Sequence, residues 1–206
     1  MNDAMATIHV AQSATVILEW NSRGASFDVL WETVSSFAEH LIVLVDPQDE
    51  LVVSPVLAAD PRFSVLTANL HSHRGDALAE GIQRALEFQS KIIVLTDSTT
   101  FASILWERLL ARLQNGTADC VLGYPQARLE IRDPRWMAHF AASITQFLAR
   151  AALGYWNCPC PVSRCVALRS ELFGAVRLDS LHRGSFFEPS LLARLDRKST
   201  RLNSSH

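Results

Sequence analysis

Two aspartates in this chain each follow an uninterrupted apolar run, where a carboxylate could contact a ligand. Asp97 follows the sequence IIVLT at residues 92–96, and Asp46 follows LIVLV at residues 41–45. Such runs are typical of strands that are buried on both faces of a parallel sheet. Because ligands bind outside the carboxyl ends of the strands in open α/β sheets, both aspartates are candidate binding residues.

Each aspartate also has a purely structural interpretation. Asp97, together with Ser98 and Thr99, could cap the helix that follows. Asp46 precedes Pro47 and could simply start a turn. The residue types alone leave both interpretations open.

Strand-like and helix-like segments alternate along the chain. The predicted strands are residues 14–20, 41–45, 62–67, 92–96, 117–123 and 163–169. The predicted helices are residues 27–40, 76–89 and 101–114, and one that begins near residue 170. This order predicts a mostly parallel sheet covered by helices on both faces, with right-handed crossovers. We therefore expect Trp20, Asp46 and Asp97, which each follow or end a strand, to converge in one cleft.

A long amphipathic helix is predicted at residues 134–155. Its apolar stripe includes Ile144 and Phe147, and its polar stripe includes Arg150. The charge makes a transmembrane helix costly. We expect the apolar stripe to pack in the core, with docking at a membrane interface as the alternative.

The composition indicates a globular α/β domain rather than a disordered or fibrous protein. Hydrophobic residues make up 49% of the chain, which is long enough for one domain with a substantial core. The chain is mildly acidic and has no cluster of lysines and arginines, so nucleic acid is not an expected partner. No basic segment followed by an apolar stretch opens the sequence, so no signal peptide is predicted and we expect a cytoplasmic location.

Four cysteines occur, at Cys120, Cys158, Cys160 and Cys165. The last three could be considered as a zinc site. However, Cys-Pro-Cys followed by a cysteine five residues later is not an established ligand spacing. We interpret all four as thiols of the core or of loops.

The last eleven residues, 196–206, resemble the in-frame translation of a sequencing-adapter oligonucleotide. Lysine usage agrees with a foreign origin, because the preceding residues contain 15 arginines and one lysine, Lys91, whereas this segment contains Lys198. The segment has three basic residues and one acidic residue, so the formal net charge of −2 becomes −4 without it. We expect residues 1–195 to form one domain that is incomplete at its C-terminus, followed by a non-native tail.

Four segments together resemble successive landmarks of the family-2 glycosyltransferases. They are ATVILEWN, LIVLVDPQDE, HRGDALAEGIQRAL followed by KIIVLTDSTT, and CVALRSELF with FFEPSLLARL. The resemblance covers most of residues 14–195 and rests on the order and spacing of the segments. It implies a GT-A fold, a three-layer αβα sandwich with a mostly parallel central sheet. It also implies that a nucleotide diphosphate sugar binds at the carboxyl ends of the strands.

The resemblance implies that three residues near the first two strands bind the sugar-nucleotide donor. Trp20 and Asn21 match the aromatic–Asn pair after the first strand, where the ring helps to hold the nucleotide base. Asp46 matches the aspartate that accepts a hydrogen bond from a uracil-type base, whose imide nitrogen is a donor. Trp20 could instead belong to the core.

Arg74 and Gly75 match the basic–small segment before the helix that begins at Asp76. Gly75 would allow the backbone to approach the ligand closely, and Arg74 would offset phosphate charge. The alternative is a solvated arginine at an ordinary helix start.

The chain departs from the family pattern at two places. The family's DxD signature binds a divalent cation, Mg²⁺ or Mn²⁺, and here the residues are Asp97, Ser98 and Thr99. A hydroxyl is a weaker ligand for such a cation than a carboxylate, which puts a metal site at Asp97 in doubt. The family's Glu–Asp pair near the acceptor appears as Glu188 and Pro189, so Glu188 is the candidate catalytic base.

The resemblance implies an inverting glycosyltransferase that moves a sugar from a nucleotide diphosphate donor to a hydroxyl of a glycan or lipid. A lipid acceptor would place the protein peripherally at the inner face of the membrane. The alternative is a non-catalytic sugar-nucleotide-binding relative with a regulatory or scaffolding role. A nucleotidyltransferase fits less well, because NSRGAS after the first strand is not the glycine-rich, basic loop of that class.

Overall fold

Apolar strands and amphipathic helices alternate in the computed structural model, which describes residues 14–21, 27–98, 103–123, 165–184 and 186–203 and the single positions 144, 147 and 151. The strands are β1 (Ala14–Glu19), β2 (His40–Val45), β3 (Phe63–Thr67), β4 (Ile92–Asp97), β5 (Cys120–Leu122) and β6 (Cys165–Arg169). The helices are α1 (Phe27–Ser35), α2 (Pro55–Ala58), α3 (Arg74–Glu87), α4 (Ser103–Gln114) and α5 (Phe187–Asn203). Two 3₁₀ helices lie between β6 and α5, at Ser170–Ala175 and Leu178–Ser180.

The six strands form one sheet in the order β3-β2-β1-β4-β6-β5. β1 is parallel to β2 and β4, and β2 is parallel to β3. β6 is antiparallel to both of its neighbours, β4 and β5. The prediction of a mostly parallel sheet is confirmed, and β6 is the exception, since an apolar run does not reveal the direction of a strand.

Both faces of the sheet are covered, which explains the uninterrupted apolar runs. Val16 and Leu18 of β1 pack in one hydrophobic cluster, whereas Ile17 between them packs in a second cluster on the other face. The first cluster contains side chains of α1 and α4, and the second contains side chains of α3 and α5. Alternate side chains of one strand therefore support two helical layers, which gives the predicted three-layer sandwich.

Several boundaries differ from the expected ones. α1 ends at Ser35, where the hydroxyl of Ser36 donates a hydrogen bond to the carbonyl of Thr33 over 2.7 Å. Such local bonds compete with the helical ladder, and His40 then pairs with β1 instead of ending the helix. The helix predicted to begin near Ser170 begins there, and it is a short 3₁₀ helix, Ser170–Ala175.

The predicted helix at residues 134–155 lies outside the described residues except at three positions, which are helical. Ile144 is 45% exposed and Phe147 is 58% exposed. The expectation that the stripe packs in the core is therefore wrong for these two side chains. Within the part of the chain that is described, no helix is long and apolar enough to cross a membrane.

Cys120 lies in β5 and is half-buried, and Cys165 lies in β6 and is buried. Burial raises the pKa of Cys165 to about 12, so this thiol is protonated at neutral pH. Cys158 and Cys160 lie outside the described residues.

α5 continues to Asn203, so its backbone runs through most of the segment predicted to be a tail.

Candidate functional site

The carboxyl ends of β1, β2 and β4 lie at the same edge of the sheet because the three strands are parallel. Glu19, the last residue of β1, is aligned with Asp97, the last residue of β4. The amide of Ser98 donates a hydrogen bond of 3.0 Å to the carbonyl of Glu19, which joins these two strand ends. Trp20 and Asp46 follow β1 and β2 at this edge, so all three residues lie at neighbouring strand ends. Trp20 packs in the first hydrophobic cluster, and convergence of the three side chains in one cleft stays a prediction.

The ring of Trp20 is 7% exposed and packs in the core. It lies edge-on to Phe27, with ring centroids 5.4 Å apart, and its indole nitrogen donates a hydrogen bond to the carbonyl of Glu50 over 3.3 Å. The next residue, Asn21, exchanges backbone bonds with the hydroxyl of Ser98, which donates to its carbonyl and accepts from its amide. The structure thus shows Trp20 in its core role, and contact with a nucleotide base stays a prediction for both Trp20 and Asn21.

Asp46 is 4% exposed, and both of its carboxylate oxygens accept backbone hydrogen bonds. One oxygen accepts from the amide of Gln48 over 3.0 Å, which is the turn that the sequence allowed. The other accepts from the amide of Leu70 over 2.9 Å and ties the end of β2 to the segment before α3. A base would have to use the remaining acceptor positions of these oxygens, and this role also stays a prediction.

Arg74 lies between two glutamates at the start of α3. Its Nε and Nη2 donate hydrogen bonds to the carboxylate of Glu19 over 2.8 and 2.5 Å. Its Nη1 donates to Glu188 Oε2 over 2.6 Å, and Nη2 also donates to Glu188 Oε1. The structure therefore brings two predicted site residues, Arg74 and Glu188, into direct contact and adds Glu19 to them.

Glu19 was missed in the sequence, although a signal was present. It is the one charged residue in the strand sequence ATVILEW, and a charge in a buried strand must be paired. Its partner could not be named from the sequence, because Arg74 lies 55 residues away and Glu188 lies 114 residues beyond Arg74.

The ionisation of this cluster is shaped by burial and by its three carboxylates. Burial raises the pKa of Glu19 above its ordinary value; the hydrogen bonds and charge of Arg74 oppose this shift, whereas the charges of Glu188 and Asp97 add to it. Burial lowers the pKa of the Arg74 guanidinium, but its hydrogen bonds to Glu188 and Glu19 outweigh burial and hold the pKa above its ordinary value. Arg74 is thus a permanent cation that neutralises only part of the negative charge at this edge.

Asp97 is the carboxylate at this edge that could hold a divalent cation. The hydroxyl of Ser98 is hydrogen-bonded to the backbone of Asn21, and Thr99 lies outside the described residues. Among the described residues, no group of three or more His, Cys, Asp or Glu side chains is arranged around a metal position. Mg²⁺ is commonly held by one or two carboxylates together with phosphates of the substrate, so Asp97 fits as a single protein ligand but not as part of a protein-only site.

Gly75 faces the backbone that precedes α5. Its amide donates a hydrogen bond of 2.7 Å to the carbonyl of Arg183. A Cβ atom at Gly75 would lie 2.5 Å from the carbonyl carbon of Arg183 and 2.6 Å from the carbonyl oxygen of His182. The close approach that we predicted for a ligand is therefore made by the chain itself, and donor contact at Gly75 stays a prediction.

A cleft of about 410 Å³ lies beside this contact, between α3 and residues 178–187. Gly75 and Phe187, the chain neighbours of Arg74 and Glu188, both line it. Its α3 wall carries Asp76 and Glu80, so the rim is partly acidic. None of Trp20, Asp46 and Asp97 lines this cleft, which separates it from the strand ends.

This arrangement of strands and helices is similar to that of a solved structure, glucosyl-3-phosphoglycerate synthase from Mycobacterium tuberculosis in complex with Mn²⁺ and uridine-diphosphate-glucose. The TM-score is 0.56 at 19% identity, and the match covers 90% of this chain and 65% of that one. The fold is of the GT-A type. This chain thus spans about 65% of the length of that GT-A structure.

Two further solved structures are similar to this GT-A chain at lower TM-scores. One is 4-diphosphocytidyl-2C-methyl-D-erythritol synthase, with a TM-score of 0.49, 12% identity and coverage of 92% of this chain and 86% of that one. The other is a protein assigned as a nucleotide-diphospho-sugar transferase from Desulfovibrio desulfuricans G20, with a TM-score of 0.47, 11% identity and coverage of 94% and 78%. No protein-family model matches the chain, and no curated protein sequence matches it.

Replacing Gly75 with alanine is expected to lower the free energy of unfolding by about 1–3 kcal/mol, because the new methyl group meets backbone that cannot move aside cheaply. Gly174→Ala is the matched control, since a Cβ there has no neighbour within 4 Å and should change stability by less than about 0.5 kcal/mol. Urea denaturation of both variants measures the difference. Equal stabilities for the two variants would contradict the close contact at Gly75.

Replacing Glu19 with glutamine is expected to change how stability depends on pH. Because the folded chain raises the pKa of Glu19 above 4.5, it binds this proton more tightly than the unfolded chain does. The stability contributed by this proton is present below pH 4.5 and is lost as the pH rises through the folded pKa. The unfolding free energy of the parent should therefore fall relative to that of Glu19→Gln as the pH rises above 4.5.

Urea denaturation across this pH range tests the prediction, with Glu87→Gln on the exposed end of α3 as the control. The control should follow the parent at every pH. A constant difference between the parent and Glu19→Gln would show that burial does not perturb this carboxyl.

Proposed function

We propose that this protein is a glycosyltransferase of the family-2 type that binds a nucleotide diphosphate sugar at the ends of β1, β2 and β4. The observation that carries the proposal is the cluster of Arg74 with Glu19, Glu188 and Asp97 at this edge of a GT-A sheet. Ligands bind outside the carboxyl ends of parallel strands, so the cluster lies where a donor would bind. The uridine-diphosphate-glucose bound to the similar GT-A structure supports a uridine-type donor.

The donor would meet two groups of residues. Trp20, Asn21 and Asp46 would contact the base, with Asp46 accepting a hydrogen bond from the imide nitrogen. Arg74 would contact the diphosphate beside Gly75.

Asp97 would hold a divalent cation, Mg²⁺ or Mn²⁺, together with the diphosphate oxygens. The Mn²⁺ in the similar structure supports a cation here. When bound, it would stabilise the charge on the departing diphosphate.

Glu188 would act as the base toward the acceptor. Its carboxylate would take the proton from an acceptor hydroxyl, whose oxygen then forms a bond to the anomeric carbon as the bond to the nucleoside diphosphate breaks. Attack from the face opposite the leaving group inverts the anomeric configuration. The acceptor would be a glycan or a lipid.

The exposed side chains of Ile144 and Phe147 support peripheral contact with the inner face of a membrane, within a cytoplasmic location. This contact would suit a lipid acceptor.

We also propose that the domain comprises residues 1–195 and that residues 196–206 are a non-native tail, which sequencing of the uninterrupted gene would test.

One observation favours a second candidate, a sugar-nucleotide-binding protein without transfer activity. Glu188 is 5% exposed and its carboxylate is held by Arg74, so neither residue is free in this conformation for the base or phosphate role. In such a protein the same contacts would be permanent, and donor binding would serve a regulatory or scaffolding role.

Replacing Glu188 with glutamine separates these two candidates. If Glu188 is the base, the variant should lose roughly two to four orders of magnitude in sugar transfer while it still binds the donor. Transfer and donor hydrolysis would be measured with a panel of nucleotide sugars, Mg²⁺ or Mn²⁺, and glycan and lipid acceptors.

Glu171→Gln, on the exposed surface of the first 3₁₀ helix, is the control and should keep the parent's rate. Donor binding by the parent without transfer or hydrolysis would favour the non-catalytic candidate. A parent that binds no nucleotide sugar would contradict both.

A further inference from the structure

Glu19 and Glu188 accept hydrogen bonds from different edges of the Arg74 guanidinium group. Glu19 accepts from Nε and Nη2, whereas Glu188 accepts from Nη1 and Nη2. A guanidinium has five N–H donors, and these four bonds leave one of them, on Nη1, without a glutamate partner. Arg74 therefore has no complete edge available for a third bidentate anion.

The backbone at the start of α3 offers little help to an incoming phosphate. A helix N-terminus commonly binds anions through its first amides. Here the amide of Gly75 is bonded to the carbonyl of Arg183, and the amides of Asp76 and Ala77 point to the carbonyl of His73. A phosphate that makes a bidentate contact with Arg74 at this end of α3 must therefore displace one of the two glutamates.

Glu188 is the glutamate that can leave more easily. Glu19 is part of β1, which is hydrogen-bonded to β2 on one side and β4 on the other, and its carbonyl is bonded to Ser98. Glu188 lies in the first turn of α5, directly after a turn in which Phe186 is 46% exposed. The Nη1–Nη2 edge that it occupies suits a phosphate as well as a carboxylate, since both accept two parallel hydrogen bonds.

We propose that Glu19 is a positioning residue that holds Arg74 at the strand edge while the other edge of the guanidinium exchanges Glu188 for a phosphate group of a nucleoside diphosphate. This inference rests on the proposed nucleotide-sugar site and adds a residue and an order of events to it. Arg74 keeps two anionic partners before and after the exchange. No bond other than hydrogen bonds is made or broken.

The exchange links donor binding to the release of the base. While Glu188 is bound to Arg74, its carboxylate oxygens are occupied and largely shielded from solvent. Once a phosphate takes its place, the carboxylate is free to accept the proton of an acceptor hydroxyl. The exchange thus explains why Arg74, with a predicted phosphate role, and Glu188, with a predicted base role, contact each other.

The test is a calorimetric titration of UDP, without any sugar, into the parent and three isosteric variants with Mg²⁺ present throughout. Glu188→Gln should bind UDP about tenfold more tightly, because a neutral amide competes less well for the guanidinium than a carboxylate. Glu19→Gln should bind UDP about tenfold more weakly, because Arg74 loses the anion that positions it. Glu87→Gln, remote from the cluster, should match the parent.

The opposite signs expected for the two glutamates separate this exchange from a merely structural role, which would weaken binding in both variants. If Glu188→Gln does not fold, as judged by circular dichroism, Glu188→Asp provides the same test, since its shorter side chain loses the bidentate contact. Detectable binding only in a position-188 variant would also support the exchange.

UDP binding that is unchanged or weaker in both position-188 variants, or absent in these variants and the parent alike, would overturn the exchange. A chain that shows the expected signs with UDP but transfers no sugar would retain the exchange and lose the proposed activity. If the parent transfers sugar but Glu188→Gln does not bind UDP more tightly, the proposed activity is retained and the exchange is overturned.

Discussion

The pairing of Arg74 with Glu19 and Glu188 is the interaction on which the arrangement of the site depends. It joins the end of β1 to the first turns of α3 and α5, three elements that are far apart in the sequence. Removing one partner from a buried ion pair costs about 3–5 kcal/mol, because a charge is then left without compensation in a poorly solvated place. The net contribution of the intact pair to stability is smaller, since desolvation offsets much of the attraction. Its main effect is therefore on geometry, because it holds helices from two parts of the chain against one strand end.

The charge at this edge constrains what can bind there. Glu19, Glu188 and Asp97 place three carboxylates near one guanidinium, so a diphosphate that bound here would meet excess negative charge. Two responses would be available to the chain, namely a divalent cation at Asp97 or exchange of partners on Arg74. The hydrogen bonding of Arg74 makes the exchange specific, because a phosphate can replace a carboxylate on a guanidinium edge without loss of geometry.

The fold was largely predictable from residue patterns. Uninterrupted apolar runs marked β2 and β4, because strands buried between two helical layers need apolar side chains on both faces. The site was only partly predictable. The strand-end positions of Asp46 and Asp97 follow from those runs, and the bond from the Gln48 amide to Asp46 is the turn that the sequence allowed. The second partner of Asp46, the amide of Leu70, lies 24 residues away and is not identified by any local pattern. Gly75 likewise contacts Arg183, whose position depends on how the chain enters α5.

The sequence by itself determined which segments are strands and helices and which polar residues stand at the ends of strands, because burial imposes a local periodicity on each element. Only the tertiary structure decided that β6 runs antiparallel, that Trp20 packs in the core, and that Arg74 lies between Glu19 and Glu188. These features depend on which elements come into contact across separations of 55 and 114 residues. Contacts over such separations depend on how the whole chain packs, so the local sequence around a residue does not identify its partner.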